Sequence, residues 1–303
     1  MERTNTVPCR LSSAEDLCRM LKISKYELIT AINTGYRPFV KYKNGKARHI
    51  EAPNPELKDI QRTLKDFLQE HMSCPSYCTA GFKKQSNIKN AQRHLAKREV
   101  LTMDISHCYP NTKEKYIRNF FAENFEVSDE VLDLLIKLTT YNGYLPTGAP
   151  TSTILLCFAH KEVFDIIYKT MQKHGVDMTV YVDDITLSTH GHIGNWVIKY
   201  INNALKRHGL FLKKAKTKRY GFRHSVITGV HTAQSRKMSA PFSIGHSVIT
   251  TIRGKNLAQM SITELQSIVS KISYIQQFTP GKMVVIKNKA IRQIKKLQKA
   301  KGG

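Results

Sequence analysis

Residues Met178 to Ser188 constrain the fold more than any other segment. Met178, Val180 and Val182 alternate with Thr179 and Tyr181 up to Asp183-Asp184, and Ile185 and Leu187 alternate away from it. Period-two alternation on both sides of a short polar break predicts a β-hairpin with one face buried. It also puts two adjacent carboxylates at the hairpin tip, where they repel each other and where no core needs them. Hard oxygen donors at such a place suit Mg²⁺ that also touches substrate phosphates. Ordinary turn chemistry alone would produce the same pair, because Asp is a common turn residue.

A second acid gives the pair a context. Val100 to Ile105 reads as a short apolar strand, interrupted by Ser106 to Asn111, and Asp104 lies near its end. An acid there is placed to share metals with a neighbouring hairpin tip, and two-metal phosphoryl transfer needs such a cluster, its ions roughly 3.5–4 Å apart. The plain alternative is a strand-end Asp capping a turn. A third feature is the loop Leu145-Pro146-Thr147-Gly148-Ala149-Pro150-Thr151-Ser152. Gly148 permits close backbone approach and the prolines stiffen the entry to a helix that buries Ile154, Leu155 and Phe158. A nascent base pair has a surface to pack on there, although a simple loop into a buried helix would look the same.

The remaining chain reads as helices around these pieces. Two short helices open it, the second capped by Ser24 with Glu27 three residues on and ending near Gly35. Phe39 to Glu51 predicts a hairpin turning at Asn44-Gly45. Leu57, Ile60, Leu64 and Leu68 mark one helical face. After a boundary placed near residue 237, Ser261 and Glu264 form a capping box with Met260 and Leu265 as its staple. Leu265, Ile268, Ile272 and Ile275 continue the stripe to Phe278. A last helix has Ile286, Ala290, Ile294 and Leu297 on one side, with lysines and Arg292 on the others.

Charge points to the partner. Among 303 residues, 48 Lys and Arg stand against 23 Asp and Glu, a net +25. Such an excess suits a polyanion, since each cation set against a phosphate releases a counterion. No run of 18 apolar residues and no signal-type leader favours a membrane instead. The six cysteines read as reduced thiols of a cytoplasmic protein. Cys74, Cys78 and His71 lack a second close pair to complete a zinc site.

The order of Asp104 with its turn, the Leu-Pro-x-Gly-x-Pro-x-Ser loop and Tyr181-Val182-Asp183-Asp184 resembles the palm of reverse transcriptases. Arg48 with Pro53 and the helix from Glu56 resembles the family's fingers segment. Gly81-Phe82 is similar to the next fingers motif, and Gly209-Leu210 with Lys216-Thr217 to the motif after the catalytic hairpin. The resemblance covers about residues 35 to 235. Asn90-Ala91-Gln92-Arg93-His94 matches the Asn-Ala-x-x-His signature of bacterial retron reverse transcriptases, and Val226-Ile227-Thr228-Gly229 resembles their Val-Thr-Gly motif. A core helix with a surface His, or a strand-to-turn Gly, would also account for each. Three positions depart from common patterns: Thr147 replaces a frequent Gln, Lys213 a usual Asn, and His107 a common acid.

The resemblance implies an α+β right-hand polymerase with fingers, antiparallel-sheet palm and small helical thumb. Residues 1–34 would be a helical extension, 35–237 fingers and palm, and 238–303 an RNA-binding thumb. Asp104, Asp183 and the Ile105 carbonyl would hold two Mg²⁺ ions, with Asp184 assisting. Arg48 with Lys46 or Lys43 would grip the triphosphate, with Thr147, Gly148 and Lys216 also lining the nucleotide site. Tyr109 occupies the steric-gate position that selects dNTPs. Asn90, His94, Thr228, Gly229, Lys289, Arg292, Lys295 and Lys296 are the expected RNA contacts. Lys206, Arg207, Lys213, Lys214, Lys216, Lys218, Arg219 and Arg223 form a basic segment suited to phosphate. Retron membership further implies a cognate structured noncoding RNA, priming from a guanosine 2′-OH, a branched msDNA product, and a companion effector in anti-phage defence. Other small bacterial reverse transcriptases, of group II intron or abortive-infection type, are the nearest alternative. A noncatalytic RNA-binding protein on the same scaffold is the alternative from another class.

Overall fold

A computed structural model of the chain describes residues 10–43, 45–221, 224–233, 242–244, 249 and 252–299. At its centre the strand Glu99–Ser106 pairs antiparallel with Asp184–Thr189, which pairs in turn with Asp177–Tyr181. The short strands Phe211–Leu212 and Lys218–Tyr220 pair with the other edge of Glu99–Ser106. The segment around Cys78 extends the sheet beyond Asp177–Tyr181, with Thr79 N donating to Val180 O at 2.9 Å.

Alternation gives this sheet two unlike faces. Leu101, Met103, Ile105, Met178, Val180, Ile185 and Leu187 point to one side and are all buried. They share a core with the helices Ser152–Ala159 and Lys161–Lys173. The two opening helices, Ala14–Leu21 and Lys25–Thr34, join that core through Leu17, Leu21, Leu28 and Ala31. Residues 1–34 therefore add to the main core where they are described. The fingers hairpin, Tyr36–Lys43 with Lys46–Pro53, and the helix Pro55–His71 follow as expected. Asn44 lies outside the described residues, and Gly45 takes a left-handed φ of 73°.

The other face carries Thr102, Asp104, Thr179, Tyr181, Asp184, Thr186 and Ser188, and a polar face needs a polar cover. The short helix Asn87–Gln92 and the following His94 supply it. Thr179 donates its hydroxyl to Asn90 Oδ1 at 2.5 Å, and Thr79 donates to the same oxygen at 3.1 Å. His94 Nε2 lies 2.7 Å from Thr179 Oγ1, and Nδ1 lies 2.7 Å from Ser188 Oγ. Because the Thr179 proton is committed to Asn90, Nε2 is the donor and Nδ1 accepts from Ser188. Both Asn90 and His94 have no exposed surface. This corrects the expectation that they contact RNA: they bind the sheet, and nucleic acid cannot reach them.

The thumb helices Ile262–Gln276 and Val284–Lys299 pack through Leu265, Ile268, Ile272, Ile275 and Ala290. The Ser261–Glu264 capping box is present, and Met260 packs against the same core. Phe278 instead joins Ala91, Val100, Ile227 and Val230, a separate apolar patch that fixes the thumb to the palm. Asn87 Nδ2 donates to the Tyr274 hydroxyl at 2.6 Å across the same junction. The boundary expected near 237 lies outside the described residues. Among those described, no helix is long and apolar enough to cross a membrane.

Burial holds His94 neutral, its pKa lowered from 6.5 to about 3. The unfolded chain takes up a proton below 6.5 that the folded chain refuses until about 3. Stability from this residue is therefore complete above pH 6.5 and falls as pH drops through that window, by roughly 2 kcal/mol at pH 5. His160, also buried and also lowered to about 3, acts in the same direction. Urea unfolding at pH 7.5 and pH 5 should show a smaller loss for His94→Gln than for the parent.

Candidate active site

The sheet register builds the site. Asp104 stands directly opposite Asp184, and Ile105 N donates to Asp183 O at 2.7 Å, closing the hairpin tip onto the central strand. On the other edge Lys213 N donates to Asp104 O at 2.8 Å. The tip turns at Val182, whose φ of 58° is unusual for a β-branched residue and costs about 1–3 kcal/mol. Its side chain packs on the main core, which offsets that cost. The strained turn places Asp183 next to Asp184 on the side where Asp104 arrives.

The three acids make a frustrated cluster. Burial, then the charges of Asp183 and Asp104, push Asp184 up to about 7. Burial and Asp104 also raise Asp183, against the pull of Lys216 and Arg48. The Lys216 ammonium ion-pairs with Asp104, and this contact raises the lysine. Among the described residues no three His, Cys, Asp or Glu side chains are yet gathered as a metal cage. The donor set still fits a hard divalent cation: adjacent carboxylates that burial and mutual repulsion make reluctant to ionise are relieved by positive charge. Asp104 would have to exchange Lys216 for the ion.

The expected nucleotide residues converge from three directions. Arg48 and Lys46 are exposed on the fingers hairpin, and the Arg48 charge reaches Asp183. Thr147 N donates to the buried Glu51 carboxylate at 2.7 Å, and Glu51 N donates to Thr147 O at 2.8 Å. Gly148, at φ 119°, leaves only 3.0 Å between an added Cβ and Ile50 Cγ2. Its close approach is thus to the fingers strand, so the loop and the hairpin are joined side by side. Tyr109 follows His107 and Cys108 just past the central strand, close enough that Asp183 influences its hydroxyl.

Other expected contacts divide. Thr228 is half-buried and turned inward, accepting from Asn90 Nδ2 at 3.4 Å, whereas Gly229 is exposed. Lys289, Arg292, Lys295 and Lys296 are exposed. Three of them line a basic groove of about 560 Å³ with Arg253 and Lys255. Arg219 pairs with the buried Glu99 and also donates to Ile193 O, so it serves the fold rather than phosphate. Arg223 lies outside the described residues. Sequence reasoning missed Glu51 and Thr153. Glu51 left one trace, an acid in an otherwise basic hairpin.

An antiparallel sheet presenting three acids, a fingers hairpin and a helical thumb define a right-hand polymerase fold. The reverse transcriptase (RNA-dependent DNA polymerase) family matches residues 40–238, and the chain belongs to that family. Enzymes of this family generally use divalent metal ions. The chain is 27% identical over 226 residues to the retron Se72 reverse transcriptase of Salmonella heidelberg, covering 71% of this chain and 59% of that protein. It is 26% identical to the Escherichia coli retron Ec48 enzyme, covering 58% of this chain and 46% of the relative. The retron Ec86 reverse transcriptase of Escherichia coli is 26% identical over 257 residues, covering 81% and 77%. The chain thus spans about half of the first two relatives. Telomerase from Candida tropicalis, solved with a fragment of telomeric RNA, shares the fold with a TM-score of 0.50 at 11% identity, covering 86% of this chain and 55% of that one.

Asp184→Asn should stabilise the metal-free protein. A carboxylate raised from 3.8 to about 7 removes stability as pH rises through that interval. The gain should be roughly 1–3 kcal/mol after solvent screening, larger at pH 8 than at pH 5. Added Mg²⁺ should raise the melting temperature of the parent and raise that of the variant less.

Proposed function

We propose that this chain is an RNA-directed DNA polymerase of a retron, copying a structured noncoding RNA into DNA. The observation that carries the reading is the Asp104–Asp184 register with Asp183 at the turn, in a chain of the reverse transcriptase family. Asp104, Asp183 and Asp184, with the Ile105 carbonyl, would hold two Mg²⁺ ions. When bound, these supply charge stabilisation to the attacking and leaving oxygens. The protein's own part is positioning: Arg48 and Lys46 hold the triphosphate, Lys216 faces the developing charge, and the loop at Thr147–Gly148 supports the base pair. Tyr109 blocks a 2′-OH and so selects dNTPs.

The retron assignment rests on the similarity to retron enzymes and on the Asn-Ala-x-x-His and Val-Ile-Thr-Gly segments. Priming from a guanosine 2′-OH, a branched msDNA product, a companion effector and a role in anti-phage defence follow from that assignment. A cytoplasmic setting agrees with free thiols at the five described cysteines.

Primer extension on an annealed RNA template tests the catalytic reading. Asp183→Asn should abolish synthesis while RNA binding stays nearly intact, because affinity is spread over the basic surface. Extension by the variant at near the parental rate would sink the assignment. Neutralising Lys289, Arg292, Lys295 and Lys296 together should weaken all RNAs alike. It should also reduce the salt slope by about one unit for each phosphate contact removed. An unchanged slope would take these residues out of the RNA interface.

A further inference from the structure

Thr153 stands in the first turn of the helix Ser152–Ala159, immediately after the palm loop. Its hydroxyl lies 3.0 Å from the Tyr109 hydroxyl. Its methyl faces Gly81, where an added Cβ would come within 2.9 Å of Thr153 Cγ2 and 3.2 Å of Ile154 N. Gly81 also has φ 82°, so both conformation and space demand glycine there. The fingers backbone therefore closes the methyl side of Thr153, and the hydroxyl meets Tyr109. The Tyr109 ring packs partly buried on the main core, and burial raises its hydroxyl's pKa, so it stays protonated. A ring fixed by packing alone retains freedom to tilt, whereas a hydroxyl tethered at its far end does not.

We infer that Thr153 is a positioning residue for sugar selection, holding the Tyr109 ring in its blocking orientation through the hydroxyl pair. The inference rests on the reading of Tyr109 as the gate and adds the residue that sets it. Three segments distant in sequence meet here: Gly81 from the fingers, Tyr109 from the turn after the central strand, and Thr153 from the palm helix. A fingers displacement at Gly81 would be transmitted to the gate through one side chain.

The test measures kcat/KM for one dNTP and its matching NTP on an annealed RNA template with a DNA primer. Thr153→Val preserves shape and removes the hydroxyl, and Thr153→Ser preserves the hydroxyl. Tyr109→Phe keeps the ring and removes its half of the pair, and Tyr109→Ala removes the gate. Thr153→Val and Tyr109→Phe should each lower dNTP/NTP discrimination roughly 3- to 10-fold, the range one neutral hydrogen bond supports. Their double variant should lose no more than either alone, because both remove one interaction. Thr153→Ser should discriminate like the parent, which a merely structural role for Thr153 would not require.

Parental discrimination in Thr153→Val, with discrimination lost in Tyr109→Ala, would show a gate held without Thr153 and overturn the inference. Additive losses in the double variant would overturn it as well. Parental discrimination in Tyr109→Ala would remove Tyr109 from the gate role, and the inference would fall with that reading. If Thr153→Val does not fold, Tyr109→Phe reports on the same hydroxyl pair from the other side.

Discussion

Everything at the site depends on the antiparallel register between Glu99–Ser106 and Asp184–Thr189. Side chains alternate across a strand, so a slip of one residue would carry Asp184 to the apolar face and Ile185 to the polar one. The forces holding the register are unequal. Leu101, Met103, Ile105, Met178, Val180, Ile185 and Leu187 are buried on one face, together worth on the order of 10–20 kcal/mol of transfer free energy. Repulsion among the three carboxylates opposes this with a few kcal/mol at most. The apolar face therefore dictates where the acids stand, and their mutual discomfort is a tolerated consequence that positive charge can relieve.

The hairpin, the central strand and the palm loop were legible in the sequence because each is defined by local pattern. Alternation fixes the strands, and the Asp-Asp pair fixes the tip. What local pattern cannot show is which polar residues face inward. His94 lies among Lys89, Arg93, Lys97 and Arg98, and such a neighbourhood reads as a basic surface. The contrary signal was in the partner strands. Thr179, Thr186 and Ser188 alternate with apolar residues, and a buried sheet with hydroxyls on its second face needs donors and acceptors laid over it. Asn90 and His94 are the pair that meets this need. The same limit misplaced Arg219 among the phosphate-facing cations, since its partner Glu99 is distant in sequence and buried.

Two glycines show how segments far apart in the chain become one surface. Gly148 brings the palm loop against Ile50 and Glu51, and Gly81 brings the fingers backbone against Thr153. Both take left-handed φ values and both meet a neighbour at or below about 3 Å from an added Cβ. Sequence reading assigned Gly148 a close approach but not its partner. The consequence for the site is that Arg48, two residues before Ile50, is indexed to the loop that carries Thr147. Under the proposed function, contacts to a nucleotide from fingers and palm would thereby share one pair of hydrogen bonds, Glu51 N–H to Thr147 O and Thr147 N–H to the Glu51 carboxylate.

The helix Asn87–Gln92 extends this logic to the thumb. The Asn90 carbonyl oxygen faces the central sheet, accepting from Thr79 and Thr179, while its amide nitrogen reaches Thr228 Oγ1. Asn87, nearly one turn earlier, donates to the Tyr274 hydroxyl and to Thr228 O at 3.3 Å. Ala91 and Ile88 meet Phe278 and Tyr274 in the apolar patch between them. A thumb that grips duplex RNA by exposed cations gains affinity from charge but no fixed distance to the reacting atoms, because a lysine-rich helix reads phosphates rather than positions. That distance comes from the anchor. One short helix contacts both the sheet that bears Asp183 and Asp184 and the thumb helix that bears Tyr274. The C-terminal helices and the acid cluster are therefore positioned from the same six residues, and polar side chains at this otherwise apolar junction specify their relative position where hydrophobic packing alone would leave it loose.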